Sequence, residues 1–129
     1  MIKVNGIEVQ QSNFPDKTLL LKMSDTILQN CDDTGYINVH WLYENDAELF
    51  TLICVKRYLD ENFCHKAIHL VMPYIPHARM DRVKNNEDVF TLKYFCEIIN
   101  SLHFVTVEVR DAHSNVSLAL LNNVYEEPI

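Results

Sequence analysis

Two arginines and an aspartate follow an apolar run that ends in prolines. The stretch VMPYIPHARMDR places Arg79, Asp81 and Arg82 directly after that run, and Lys84 comes soon after them. Guanidinium groups donate paired hydrogen bonds to phosphate oxygens, so these residues are suited to binding a polyphosphate. They are equally compatible with a polar loop whose charges face water, because charged side chains are mostly exposed.

A second polar segment, RDAHSN, follows the run VTVEV. Asp111 and His113 lie two residues apart, so in extended backbone their side chains point the same way. A carboxylate and an imidazole there could bind a divalent metal directly or through water. Alternatively, Asp111 caps a following helix and His113 is polar surface.

The elements that must position these residues alternate between strands and helices. The runs on either side of Asn5-Gly6 predict a hairpin, because that dipeptide suits the positive φ angles of a type I′ turn. We predict further strands in TLLLKM, YINVHWLY, KAIHLVMPYI and VTVEV, and read QSNFPDK as a polar break and SDTILQNCDDTG as a turn-rich connection.

Helices are predicted at about 47–59, from about Thr91, and in HSNVSLALLNN. Asn45 or Asp46 could cap the first of them. Apolar periodicity gives each long helix a core-facing side. In the first helix the predicted core residues are Leu49, Phe50, Ile53, Cys54 and Tyr58, and in the second they are Leu92, Phe95, Ile99 and Leu102.

This alternation predicts an α/β fold with three layers, in which helices cover both faces of a mainly parallel sheet. Ligands of such sheets bind beyond the carboxyl ends of the strands, which is where both polar segments begin.

Composition restricts the class of protein. The 129 residues are expected to form a single domain, and their net charge of −7 argues against broad binding of nucleic acid or an anionic membrane. The sequence has no long apolar run for a membrane span and no secretory signal at Met1. Four scattered cysteines without CxxC spacing favour a reducing, cytoplasmic setting.

Three segments together resemble a known family. MPYIPHARMDR, FTLKYFCEIIN and VRDAHSNVSLALLNN are similar, in order and spacing, to the N-terminal half of ribose-phosphate pyrophosphokinase, also called phosphoribosyl pyrophosphate synthetase. Phe14, Pro15 and Asp16 resemble an earlier motif of that family. The resemblance extends from about Asn13 to Pro128 and implies a phosphoribosyltransferase-like fold.

The resemblance also implies roles for individual residues. Arg79 matches the family residue that contacts the adenine and phosphates of ATP, and Asp81 and Arg82 lie in the same nucleotide loop. His113 matches the histidine that binds the magnesium of Mg-ATP. Phe14 and Asp16 match residues that one subunit contributes to the adenine pocket of its neighbour. The implied partners are therefore ATP, Mg²⁺ and a second copy of the chain, in at least a dimer.

The sequence also departs from the family pattern. Met80 stands where the family has glutamine, and Lys17-Thr18 stands where it has Gly-Glu. Nothing matches the family's pentose-phosphate loop, a strand ending in Asp-Asp followed by Thr-Gly-Gly-Thr. Residues 1–129 are thus expected to be one domain, resembling the ATP-side half, without the domain that binds ribose 5-phosphate.

Two interpretations of function remain. One is the ATP-side half of a ribose-phosphate diphosphokinase, which transfers the diphosphoryl group of ATP to ribose 5-phosphate for nucleotide biosynthesis and is inactive as this chain alone. The other is a non-catalytic regulatory or nucleotide-binding subunit of the same family.

Overall fold

The structure, a computed structural model, describes residues 1–80, 82–110 and 115–127, with Asn115 and Glu127 described by their backbone. Its strands are β1 (Ile2–Val4), β2 (Ile7–Glu8), β3 (Gln10–Asn13), β4 (Leu19–Lys22), β5 (Tyr36–Trp41), β6 (Ala67–Met72), β7 (Val107–Arg110) and β8 (Val124–Glu127). Its helices are α1 (Asp25–Asp33), α2 (Ala47–Asn62), α3 (Thr91–Ser101) and α4 (Asn115–Leu120). None of the described helices is long and apolar enough to cross a membrane.

The main sheet has the strand order β2-β1-β5-β6-β7-β8. The strands β5 to β8 are parallel to one another, and β1 is antiparallel to both β5 and β2. Asn5 and Gly6 join β1 to β2 with φ angles of 49° and 83°, as a type I′ turn requires. The predicted α/β class, the mainly parallel sheet and the N-terminal hairpin are therefore confirmed.

The described helices pack against one face of the sheet, whereas the sequence predicted helices on both faces. Ile37 and Val39 of β5 and Leu70 of β6 are fully buried in one core with Leu52 of α2 and Leu92 of α3. The strands β5 to β8 follow one another in space as they do along the chain. Successive right-handed crossovers in one direction place their helices on the same side of a sheet.

The opposite face of the parallel strands carries mostly polar side chains. His40 lies there, and its Nδ1 is buried without a hydrogen-bond partner among the described residues. Burial is the main reason that the pKa of His40 is lowered, and nearby Arg110 adds to the effect. An open cleft of about 430 Å³ on this face is lined by Tyr36, Asn38, His40, His69, Val71, Thr106, Glu108, Arg110 and Tyr125.

Three elements differ from the sequence predictions. The segment predicted as turn-rich forms α1, because Ser24 caps it by accepting a hydrogen bond from the Ile27 amide at 3.3 Å, and Ile27 and Cys31 are buried one turn apart. The predicted polar break contains most of β3, which pairs with β4 in a separate two-stranded sheet. The strand β8 was not predicted.

The helix α2 buries a different face from the one predicted. Phe50, predicted to face the core, is 59% exposed, whereas Leu52, Val55 and Leu59 are fully buried. Leu49, Ile53 and Tyr58 are partly buried against the core, and Cys54 has intermediate exposure. The apolar pattern misleads here because α2 also buries polar residues that have partners, such as Thr51, whose hydroxyl donates to Gln11 Oε1 at 2.9 Å. The predicted core face of α3 is confirmed, since Leu92, Phe95, Ile99 and Leu102 are all buried.

Candidate functional site

The loop after β6 presents Arg79 to solvent. Pro76 and Ile75 are buried where the loop leaves the sheet, and Ala78 packs against the core. A turn in which the Met80 amide donates to the His77 carbonyl at 3.0 Å then brings Arg79 to the surface. Arg79 is exposed, and its guanidinium forms no hydrogen bond or ion pair with any described residue.

Of the other residues in the predicted nucleotide loop, two are exposed and one lies outside the described residues. Arg82 and Lys84 are exposed farther along the same loop. Asp81 lies outside the described residues. The first half of the loop therefore carries three cations, and it leaves the carboxyl end of a parallel strand, where α/β sheets bind their ligands.

Phe14 and Asp16 lie in the turn between β3 and β4. The ring of Phe14 is 48% exposed. Asp16 Oδ1 accepts from the Thr18 amide at 3.0 Å and from the Thr18 hydroxyl at 2.6 Å. The hydroxyl is the main cause of the lowered pKa of Asp16, and the amide contributes in the same direction. Asp16 thus holds its own turn, and the exposed Phe14 is held on that turn.

The hairpin turn and the loop are not joined within the chain. Among the described residues, no hydrogen bond or ion pair links Phe14, Asp16 or Arg79 to one another. The hairpin instead forms one wall of a separate open cleft of about 530 Å³, whose other wall is the N-terminal half of α2 with Phe50 and Thr51. The predicted site residues therefore belong to two surfaces.

An aromatic cluster lies at the carboxyl ends of β5 and β6, and the sequence did not predict that its members meet. It consists of Trp41, Tyr43, Tyr74, His77 and Phe95, whose ring centroids are 5.6 to 6.4 Å apart in consecutive contacts. The Tyr74 hydroxyl donates to the Tyr43 carbonyl. The cluster connects the end of β5, the helix α3 and the start of the loop after β6. That loop is the predicted nucleotide loop.

Asp46 is the acidic partner of this cluster. Its Oδ1 accepts from the Tyr43 hydroxyl at 2.6 Å and lies 2.7 Å from His77 Nε2. The hydrogen bond from Tyr43 is the main cause of the lowered pKa of Asp46, and the hydrogen bond with His77 contributes in the same direction. The same bond to Asp46 is the main reason that the pKa of Tyr43 is raised to about 12. Asp46 is therefore ionised at neutral pH and Tyr43 keeps its proton.

The predicted metal ligand cannot be placed. His113 and Asp111 lie outside the described residues. Within 1–80, 82–110 and 115–127, no group of three or more His, Cys, Asp or Glu residues is arranged to hold a metal ion. Magnesium binding at His113 stays a prediction.

No protein-family model matches the sequence. The crystal structure of phosphoribosylpyrophosphate synthetase from Mycobacterium smegmatis is similar in fold, with a TM-score of 0.71 over 94% of this chain. The two sequences are 11% identical, and this chain spans 40% of the length of that chain. The predicted likeness to the phosphoribosyl pyrophosphate synthetases is therefore confirmed for the fold, over nearly the whole of this chain.

Proposed function

We propose that this chain is the ATP-side half of a ribose-phosphate diphosphokinase. The proposed reaction transfers the diphosphoryl group of ATP to the 1-hydroxyl of ribose 5-phosphate. The chain supplies the loop that binds the nucleotide, and the site for ribose 5-phosphate lies mostly outside it. Residues 1–129 by themselves are expected to make no product, because no segment matches the family's glycine-rich pentose-phosphate loop.

The observation that carries the proposal is the unpaired guanidinium of Arg79 at the carboxyl edge of the parallel sheet. In a protein with a net charge of −7, a guanidinium without a carboxylate partner among the described residues is available to an anion. Phosphoryl transfer depends on positioning and on neutralising phosphate charge more than on a protein nucleophile. Arg79 has the chemistry and the location for that task, and Arg82 and Lys84 follow it along the same loop.

The hairpin turn completes the proposed adenine pocket from a second copy of the chain. Phe14 is half-exposed rather than buried among its own strands, so its ring is available for stacking on a base in a partner. The carboxylate of Asp16 can accept a further hydrogen bond from the base, because both of its internal hydrogen bonds end on Oδ1. The two surfaces of one chain would meet those of its neighbour in a two-fold assembly.

Magnesium is part of the proposal through His113. When bound, the metal would shield the charge of the ATP phosphates. Among the described residues, Arg79, Arg82 and Lys84 supply the cationic side of the proposed site. Their positive charge would bind and orient the phosphates together with the metal.

Binding of Mg-ATP tests the role of Arg79. We expect Arg79→Ala to weaken binding by about 1–3 kcal/mol, the range for losing a hydrogen bond to a charged group. Isothermal calorimetry on the whole chain measures this directly. Arg57→Ala, which removes an exposed arginine from α2, is the matched control and should leave the affinity unchanged. Equal affinities for the two variants would contradict the assignment.

A second candidate is a non-catalytic nucleotide-binding subunit of the same family. Met80 favours it, because a thioether stands there in place of a hydrogen-bonding amide. Continuation of the natural reading frame into Asp-Asp and Thr-Gly-Gly-Thr segments would favour the enzyme. Product formation by residues 1–129 that disappears in Arg79→Ala would overturn the inactive-half proposal.

A further inference from the structure

His77 has a backbone conformation that is costly for a residue with a side chain. Its φ angle is 66°, in the left-handed region that favours glycine and, less strongly, asparagine, aspartate and histidine. Such a conformation persists only where the surrounding contacts hold it. His77 comes two residues before Arg79, so whatever fixes His77 also sets the direction in which the loop leaves the core.

Packing holds the ring of His77 on two sides. Its centroid lies 6.2 Å from that of Tyr43 and 5.7 Å from that of Phe95. Tyr43 follows β5 and Phe95 belongs to α3, so the ring bridges two elements that flank the loop. The side chain of His77 is 23% exposed as a result.

A hydrogen bond fixes the orientation of the ring. His77 Nε2 lies 2.7 Å from Asp46 Oδ1, and the same oxygen accepts from the Tyr43 hydroxyl at 2.6 Å. Asp46 is ionised at neutral pH and can only accept, so His77 Nε2 carries the proton and donates it. The contact connects the loop after β6 to the residue that precedes α2.

We propose that His77 is the positioning residue for Arg79. The contact between His77 and Asp46 holds the start of the loop in its left-handed conformation and keeps the guanidinium of Arg79 directed away from the core. The His77 carbonyl also accepts from the Met80 amide, so the turn that contains Arg79 is built on the residue that Asp46 holds. The consequence for nucleotide binding rests on the proposed function, whereas the effect on the loop does not.

Three variants separate the hydrogen bond from the packing. His77→Phe keeps an aromatic ring between Tyr43 and Phe95 but cannot donate to Asp46. His77→Gln has an amide that can donate where Nε2 does, and is the conservative rescue. Tyr43→Phe is the matched control, since it removes the other donor to Asp46 Oδ1 and leaves His77 in contact with it.

Amide hydrogen exchange of residues 74–84 in the whole chain is the first measurement. Asp46 is 67% exposed, so we expect a moderate effect, with exchange about 3- to 10-fold faster in His77→Phe than in the wild type. Exchange in His77→Gln should return toward the wild-type rate, and Tyr43→Phe should have the smaller effect. Asp46→Ala combined with His77→Phe should add little to either change alone, because both remove the same contact. An unchanged rate in a folded His77→Phe variant would overturn the proposal.

Affinity for Mg-ATP is the second measurement. His77→Phe should weaken binding about 3- to 10-fold, and His77→Gln should recover part of the loss. No such recovery is expected if His77→Phe weakens binding only by loosening the fold. If Arg79→Ala weakens binding but His77→Phe does not, the positioning role for nucleotide binding is wrong. If Arg79→Ala has no effect, the proposed function fails, and the exchange rates alone then decide whether His77 positions the loop.

Discussion

Glu48 should be one of the residues on which the stability of this chain depends most. The residue is 6% exposed, although a carboxylate is rarely buried without partners. It accepts from the Glu44 amide at 2.7 Å, from the Asn45 amide at 3.3 Å and from Trp41 Nε1 at 3.4 Å, and it pairs with the N-terminal ammonium of Met1. Glu48 thereby holds β1, the end of β5 and the start of α2 together.

The size of the effect follows from what each substitution leaves unpaired. Glu48→Ala leaves the Trp41 and Glu44 donors without their acceptor, whereas the ammonium of Met1 still donates to the Leu42 carbonyl and still pairs with the Glu44 carboxylate. We therefore expect the free energy of unfolding to fall by about 2–4 kcal/mol, below the upper range for breaking a fully buried pair. Glu48→Gln keeps an acceptor and loses the charge, so we expect a loss of about 1–2 kcal/mol.

The pH dependence gives a second check. Burial raises the pKa of Glu48, but the bonds from the ammonium and from the amides of Glu44 and Asn45 outweigh it, so its pKa lies below the ordinary 4.5. A lowered pKa stabilises the folded chain above about pH 4.5, and this contribution is lost as the pH falls through the folded value. The gap between wild type and Glu48→Gln should therefore shrink in acid.

Urea denaturation of both variants measures these changes. Glu61→Ala, which removes an exposed carboxylate from the same helix, is the control and should change stability by no more than about 0.5 kcal/mol. If Glu48→Ala destabilises no more than Glu61→Ala does, the buried network does not contribute as described.

Three further predictions concern other parts of the chain. Lys17 has a φ angle of 72°, so Lys17→Gly should stabilise the fold by about 0.5–1 kcal/mol in urea denaturation, whereas Lys22→Gly within β4 should destabilise it. The lowered pKa of His40 means that stability present above about pH 6.5 is lost as the pH falls, so thermal unfolding of His40→Gln should be less sensitive to pH between about 7 and 5. Phe14→Ala should weaken self-association in sedimentation at micromolar concentration, whereas Tyr94→Ala, which removes an exposed aromatic from α3, should not; a monomeric wild type would refute the shared site.

The sequence predicted the elements with a simple periodicity. The helix α3 carries its apolar residues at helical intervals and the strand β6 is a nearly continuous apolar run, and both formed as predicted. The helix α1 was missed because its DTILQNCDDTG stretch is rich in polar and turn-forming residues, although the Ser24 cap was a usable signal. The face of α2 was wrong because a carboxylate and a lysine are buried on it, and only their tertiary partners make that possible.

The turn at Lys17 places a lysine in a backbone conformation that glycine adopts more readily. The resembling family has glycine at this position, which suggests a left-handed residue. Lys17 has a left-handed conformation in the structure, and Asp16 supports it by accepting hydrogen bonds from both the amide and the hydroxyl of Thr18. The sequence could therefore indicate the shape of this turn but not the use of the Asp16 carboxylate to hold it.

The contact between Asp46 and His77 could not be predicted from either segment alone. Asp46 has the sequence position of a helix cap and His77 that of a loop residue, and they are 31 residues apart. They meet because β5 and β6 are parallel neighbours, in register from Tyr36 and Ala67 onward, so the connections after both strands leave the same edge of the sheet. Asp46 forms no side-chain cap of α2, and Asn45 Oδ1 accepts from the Glu48 amide at 3.2 Å instead. Because Asn45 accepts this hydrogen bond in place of Asp46, the Asp46 carboxylate is available to the neighbouring loop. An aspartate beside the start of a helix can therefore hold His77, on which the turn that contains Arg79 is built.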